Sequence, residues 1–233
     1  MATIDRPQIS LRPATPSDLP EITSLDMSAH STHPMTGLAW AHPSDAHAVL
    51  LARYTLLFSL PFYHFLVAVQ PLPLSPSLSQ TPQSEKETDQ ILGFAMWKEG
   101  GEEKEEPDFQ PEIPETANLR LISWFLAESQ KTKESLEKEI KGAAFLDAVA
   151  VRPDAQRRGV GGVLLRGVVG EVDKRGERMY LKSSKAGKGL YEKFGWRCIG
   201  EHGEKGVTTD LKDFGFEHGY TSWDMMREVG GAK

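Results

Sequence analysis

The sequence predicts an α/β (α+β) fold in a single domain, and three observations predict it. Short β-branched and aromatic runs alternate with longer segments whose apolar residues recur at helical spacing. The chain has 233 residues, 39% apolar and 26% charged, the balance of an ordinary globular domain with a substantial core. No internal repeat divides the order of elements.

Ile9-Ser10-Leu11-Arg12 alternates apolar and polar residues like a half-buried strand. Thr15-Pro16-Ser17-Asp18 offers a capping hydroxyl and a proline at the first helical position, so a helix starts there and buries Leu19, Ile22 and Leu25. A second helix is expected over 43–57, with Asp45 able to cap it. Residues 64–70 and 90–98 are β-branched and aromatic and read as an antiparallel strand pair. Residues 119–141 read as one helix, apolar early and charged late. Residues 143–151 are almost continuously apolar, as a central strand buried on both faces would be, and Pro153 closes them. Val160, Leu164, Val168 and Val172 then form one helical stripe, 179–181 a strand, and 186–194 a short helix stopped by Gly195. Residues 198–199 and 223–227 supply the last strands.

Two stretches fit no element. Residues 71–89 are rich in Pro, Ser, Gln and Thr, and residues 99–116 are acidic and punctuated by proline. Both read as flexible insertions in one domain over 9–228, with tails at 1–8 and 229–233. The acidic one, where it is more than a solvated loop, would suit a cationic substrate or partner.

Several function classes drop out. A formal net charge of -6 argues against a protein that wraps nucleic acid. The single cysteine, Cys198, cannot form an internal disulfide. The most apolar stretch, 49–69, is broken by Arg53, Pro61 and His64, well short of the roughly 20 clean residues that a membrane span needs. Residues 1–8 lack the apolar core of a secretory leader. The expectation is a cytoplasmic chain, or a nuclear one, with no nucleic-acid or membrane partner.

The chemistry concentrates where a strand runs into a helix. Gly159, Gly161 and Gly162 leave backbone N–H groups uncovered at a helix N-terminus, a cradle for pyrophosphate, and Arg157 and Arg158 add positive charge. A Walker loop would need Gly-Lys-Ser/Thr here, and a dinucleotide fingerprint would need a small residue where Leu164 stands. A third pattern, Gln/Arg-x-x-Gly-x-Gly/Ala, is met in full by Gln156-Arg157-Arg158-Gly159-Val160-Gly161. One strand further on comes Leu190-Tyr191-Glu192-Lys193-Phe194-Gly195-Trp196, similar to Leu-Tyr-x-x-x-Gly-Phe.

With these two signatures the chain resembles the GCN5-related N-acetyltransferase (GNAT) superfamily, specifically over 145–196 and loosely over 9–227. The resemblance implies a mixed, mostly antiparallel sheet, splayed at its middle, with helices on both faces. It implies acetyl-CoA as acyl donor; no metal is expected, because the histidine spacings fit no ligand pattern and no cysteine helps. Backbone groups of Val149, Ala150 and Val151 would pair with the pantetheine, and Gln156, Arg157, Arg158, Gly159, Val160, Gly161 and Gly162 would hold the pyrophosphate. Ser183, Ser184, Lys188 and Tyr191 would approach the cofactor from the next strand and helix.

The implied reaction is direct attack of a primary amine on the thioester in a ternary complex. Tyr191 would protonate the leaving sulfur; the alternative is a packing tyrosine. Asp147, an acid in an otherwise apolar strand, would be base or amine anchor, or the partner of an arginine or backbone group. Some members carry a glutamate where this chain has Phe145. His30, His33, Trp40 and Trp97 are candidates for lining the acceptor site; the bland alternatives are loop histidines and a core tryptophan. A small-molecule acceptor stands ahead of a protein lysine or N-terminus. A non-catalytic acyl-CoA-binding protein is the alternative of another class.

Overall fold

Eight strands make one sheet in the computed structural model, which describes residues 9–71, 89–102, 104–109, 111–217 and 219–231. The strands are β1 (Ser10–Pro13), β2 (Tyr63–Pro71), β3 (Asp89–Lys98), β4 (Ala144–Val151), β5 (Met179–Ser184), β6 (Arg197–Cys198), β7 (Val207–Thr209) and β8 (Tyr220–Arg227). Their order is β1-β2-β3-β4-β5-β8-β6, with β7 also paired to β8. Every pairing is antiparallel except β4 with β5. The helices are α1 (Leu19–Ala29), α2 (Pro34–Ala39), α3 (Pro43–Phe58), α4 (Leu119–Ser135), α5 (Glu137–Ile140), α6 (Val160–Lys174) and α7 (Lys185–Lys193).

Alternation along the strands sends side chains to two cores. On one face the α6 stripe Val160, Leu164, Leu165, Val168 and Val172 packs on Ala95, Leu146 and Leu181 of the sheet, with Leu190 and Tyr191 of α7 beside it. On the other, Leu19, Ile22 and Leu25 of α1 and Tyr54 and Leu57 of α3 cover Phe65, Val67, Phe94 and Met96. β4 contributes to both, Val149 and Val151 to the first and Ala148 and Ala150 to the second, which is why its sequence is nearly all apolar. α2 and α4 extend the second face toward β7 and β8. None of the described helices is long and apolar enough to cross a membrane.

The predicted helix 119–141 breaks at Leu136, which is buried against Tyr180 and Met226. That kink lets Leu136 and Ile140 reach the same cluster. Asp45 does not cap α3: His42 holds the cap position, and Asp45 instead accepts from the Thr116 hydroxyl at 2.7 Å. The short α2 and β7 carry too few residues to show a period. Of the expected insertion 71–89, Pro71 and Asp89 end strands and the remainder lies outside the described residues. The described part of 99–116 has no helix or strand, yet two of its acids, Glu99 and Glu106, are engaged. Lys104 holds Glu99 at 2.7 Å, and Lys98 and Tyr63 hold Glu106 at 2.6 and 3.1 Å.

One ion pair locks the last strand to α6. Arg227 is 1% exposed; its Nη1 and Nη2 donate to Asp173 at 2.7 and 2.8 Å, and its Nε donates to the Phe194 carbonyl at 2.9 Å. Removing one partner leaves a buried charge unmatched, which costs about 3 kcal/mol or more. Asp173→Ala should therefore lower the urea-unfolding free energy by that order. Because Arg227 holds the Asp173 pKa below its usual value, this contribution is present at neutral pH and lost as the pH falls through the folded-state pKa. The gap between wild type and variant should close in acid.

Candidate active site

β4 and β5 are hydrogen-bonded neighbours only at their starts, Ala144 opposite Met179 and Phe145 opposite Tyr180. Beyond that β5 stays with β8 through Ser184, and β4 stays with β3 through Val151. The two strands part, and the β5-facing edge of β4 from Leu146 onward has no ladder partner. A β-bulge sits at the same place. Met96 pairs with Ala148 and Trp97 with Leu146, so Asp147 is the extra residue on β4. The bulge aims Asp147 at α3, where Arg53 Nη2 donates to its Oδ2 at 2.6 Å. Asp147 in turn holds the Arg53 guanidinium above its ordinary pKa. The acid in the apolar strand is thus matched by an arginine, as burial of a carboxylate requires.

The opening leads to the N-terminus of α6. Arg157 has φ 59°, the only positive φ outside glycine among the described residues, and Gly159 has φ 90°. Two left-handed residues in three curve the backbone into a concavity of the kind that receives anions. No side chain caps the helix, and Gly159 at the cap position carries none. A Cβ on Gly161 would come within 3.0 Å of Leu190 Cδ2, so α6 and α7 approach too closely there for a larger residue. Gln156 Nε2 donates to the Val151 carbonyl at 3.1 Å and ties the loop to the end of β4. The exposed N–H groups, the local curvature and the neighbouring Arg157 and Arg158 fit a pyrophosphate.

Tyr191 lies on the inner side of α7, its ring against Gly187 and Ser183 and edge-on to Trp196 at 5.7 Å. Its hydroxyl has no hydrogen-bond partner among the described residues, and burial pushes its pKa up to about 12. Ser183 Oγ donates to the Ser184 carbonyl at 2.8 Å, and Ser184 precedes α7 as its cap residue. Lys188 is bound by Glu192 and Glu204, so its ammonium is already matched within the protein.

On the α2–α4 side of the sheet is a cavity of about 190 Å³ lined by residues from α2, α4, β5, β7 and β8. Of the residues expected around the acceptor, His33 lines it. His30 stands beside His33, ring centroids 6.4 Å apart, and Trp40 joins the apolar cluster of Met35, Trp124 and Tyr220. Trp97 is elsewhere: it is buried in the α6-side core and stacked on His64 at 5.0 Å. The sequence reading missed Trp124, Lys182 and Tyr220 as lining residues. Trp124 looked like the core stripe of a helix, and Lys182 like part of a basic patch for the cofactor. None of the described residues of 99–116 lines the cavity.

The two histidines differ electrically. Asp26 accepts from Tyr54 at 2.9 Å through Oδ2 and meets His30 Nδ1 at 3.0 Å through Oδ1, which raises the His30 pKa. Burial, with a smaller effect of His30, lowers His33 to about 4. His33 Nδ1 accepts the Met35 N–H at 3.2 Å, so the neutral ring carries its proton on Nε2. An NMR titration should place His33 near about 4 and His30 above 6.5, with Asp26→Asn bringing His30 down. The sign for stability follows. Between those values the unfolded chain binds the extra proton at His33, so its contribution to folding grows as pH rises across that window.

Two strands that part beside an uncapped, glycine-lined helix N-terminus make an opening whose shape and charge suit an extended, phosphate-bearing ligand. The comparisons supply the family. Residues 124–209 match the acetyltransferase (GNAT) domain. Over those residues the chain is similar to a domain of a family of acyltransferases that generally draws on acetyl-CoA, and its mixed, mostly antiparallel sheet is a GNAT-like fold. Among solved structures it is similar to histone acetyltransferase HPA2 and related acetyltransferase from Corynebacterium glutamicum (18% identity, TM-score 0.55, 95% of this chain and 96% of that one). It is also similar to the C-terminal condensation domain of Ebony in complex with beta-alanyl-dopamine (11%, 0.61, 96% and 100%). PH1933 from Pyrococcus horikoshii is a further likeness (13%, 0.53, 95% and 98%). At these identities the likeness is one of fold. No curated protein matches the chain by sequence.

Proposed function

We propose that the chain is an N-acetyltransferase that moves an acetyl group from acetyl-CoA to a primary amine of a small molecule, donor and acceptor bound together. The observation that carries this reading is the parting of β4 and β5 beside the bare N-terminus of α6. Backbone groups of Val149, Ala150 and Val151 would hold the donor's extended arm, and the N–H groups from Arg157 to Gly162 its pyrophosphate. When bound, acetyl-CoA supplies an acetyl group already activated as a thioester.

The protein's own groups then manage protons. Tyr191 keeps its proton to about pH 12 and has no internal acceptor for it among the described residues, which suits a hydroxyl that protonates a departing thiolate. Asp147, its Oδ2 fixed by Arg53, offers its other oxygen as an anchor for the incoming amine. His30 serves as the proton acceptor: with Nδ1 committed to Asp26, Nε2 is free to take a proton through water. Lys188, already matched by two carboxylates, holds α7 in place rather than touching the donor.

The pairing of Asp147 with Arg53 also favours a second reading, an acyl-CoA-binding protein without turnover, and one set of measurements separates the two. Acetyl-CoA should raise the melting temperature of wild type and Tyr191→Phe alike, and Gly161→Glu should lose that shift. Coenzyme A release with an amine panel should fall roughly 10²-fold in kcat for Tyr191→Phe, with little change in donor affinity. His30→Gln should lose the low-pH limb of the rate profile. A melting shift with no release on any amine supports the binding protein; no shift at all removes both readings.

A further inference from the structure

Resting on the acetyltransferase reading, we propose that the acceptor is an aromatic amino carboxylate, with Lys182 receiving the carboxylate and Trp124, Phe125 and Tyr220 enclosing the ring. The charges around the cavity point to an anion. Glu128 is engaged by Lys131 at 2.7 Å, and His33 is neutral, its pKa lowered by burial. Asp224, directly across the strand pair from Lys182, accepts from the Tyr180 hydroxyl at 2.6 Å, does not line the cavity and forms no ion pair with Lys182 among the described residues. Lys182 is exposed and has no hydrogen bond or ion pair among the described residues, whereas Lys98, Lys104, Lys131, Lys174 and Lys188 each hold a carboxylate. Of the charged side chains that line the cavity, Lys182 is therefore the one left without a partner among the described residues.

Its position is fixed by strand alternation. Met179, Leu181 and Ser183 of β5 face α6 and α7, so Lys182, between Leu181 and Ser183, stands on the α4 side, where it lines the cavity. Size and lining select the rest of the molecule. A volume of about 190 Å³ is little more than the roughly 150 Å³ known to take one benzene ring, so one aromatic ring fills it. Aromatic walls with a few hydroxyls, here Thr209, Ser129 and Ser222, favour a flat apolar body with polar ends.

The test uses the full chain with acetyl-CoA and compares L-phenylalanine with phenethylamine, which differ only in the carboxylate, and with spermidine. Coenzyme A release should favour phenylalanine over phenethylamine by at least about tenfold in kcat/KM. Lys182→Met should abolish that preference, Lys182→Arg should keep most of it, and neither should change the melting shift given by acetyl-CoA. The inference is overturned if phenethylamine or spermidine is the better acceptor, or if Lys182→Met slows both aromatic amines equally. It is also overturned if that variant loses the acetyl-CoA shift, which would place Lys182 on the donor. Calorimetric binding of the same two aromatic amines to coenzyme A-saturated protein separates the claims. A preference for phenylalanine without turnover keeps the pocket assignment and sinks the catalytic reading; no preference sinks the pocket assignment.

Discussion

The structure depends on one break in a hydrogen-bond ladder. A sheet this size gains from continuous pairing, and an unpaired strand edge exposes backbone donors and acceptors. Here β4 and β5 share only their first pair of positions and then part. Three features hold them apart. The bulge at Asp147 bends β4 away, and Arg53 pins that bend from α3 across 94 residues of sequence. On the opposite face Tyr191 and Leu190 pack between β5 and the start of α6, so α7 and α6 wedge the opening. The parting is stored in packing on both sides, and a ligand with an extended amide-bearing arm would complete the missing ladder.

That arrangement explains why the polar groups near the opening come in matched sets. Tyr54, Asp26 and His30 form one chain of hydrogen bonds, and Arg53 with Asp147 another, both rooted in α3 at adjacent residues. Tyr54 is buried and its hydroxyl is held well above its usual pKa, so it donates to Asp26 at any physiological pH. α3 therefore does two jobs from neighbouring positions: it fixes the bulge in the sheet and orients the histidine near the acceptor cavity. A rigid helix carrying both couples the shape of the donor side to the chemistry of the acceptor side.

The donor side was legible in the sequence because its information is local. The apolar run of β4, the loop 156–161 and Tyr191 lie within about fifty residues, and each is written in consecutive positions. The parting itself was expected only through family resemblance, since nothing in either strand alone says where pairing stops. The acceptor side was largely illegible for the opposite reason. Its wall is assembled from α2, α4, β5, β7 and β8, and each residue reads differently at home. Trp124 fits a helical core stripe, Lys182 a basic patch for the cofactor, and Tyr220 falls before the last strand expected at 223–227. His33 stood out as one of several histidines after the first helix, and Trp97 could be read as core or as pocket wall, because its stacking on His64 and burial in the α6-side core were set by strand register. Asp147 stood out as costly, but its arginine was too distant in sequence to be found by pattern.

The same division bears on specificity. The matched family domain covers 124–209 and so includes β4, the cradle, α6 and Tyr191. It also includes the α4 part of the cavity and Lys182, but His33, Met35, Leu211, Tyr220 and Ser222 fall outside it. Half of the acceptor wall is thus supplied by segments that the shared domain does not define. Those segments need satisfy only their own packing, His33 edge-on to Tyr220 at 4.5 Å and Trp124 against Phe214 at 5.4 Å, and can change without disturbing the cradle. The cradle is constrained by the backbone geometry at Arg157 and Gly159, while the cavity wall is made of side chains from two helices and three strands. A chain can keep its donor and its chemistry and still be specific to a different amine.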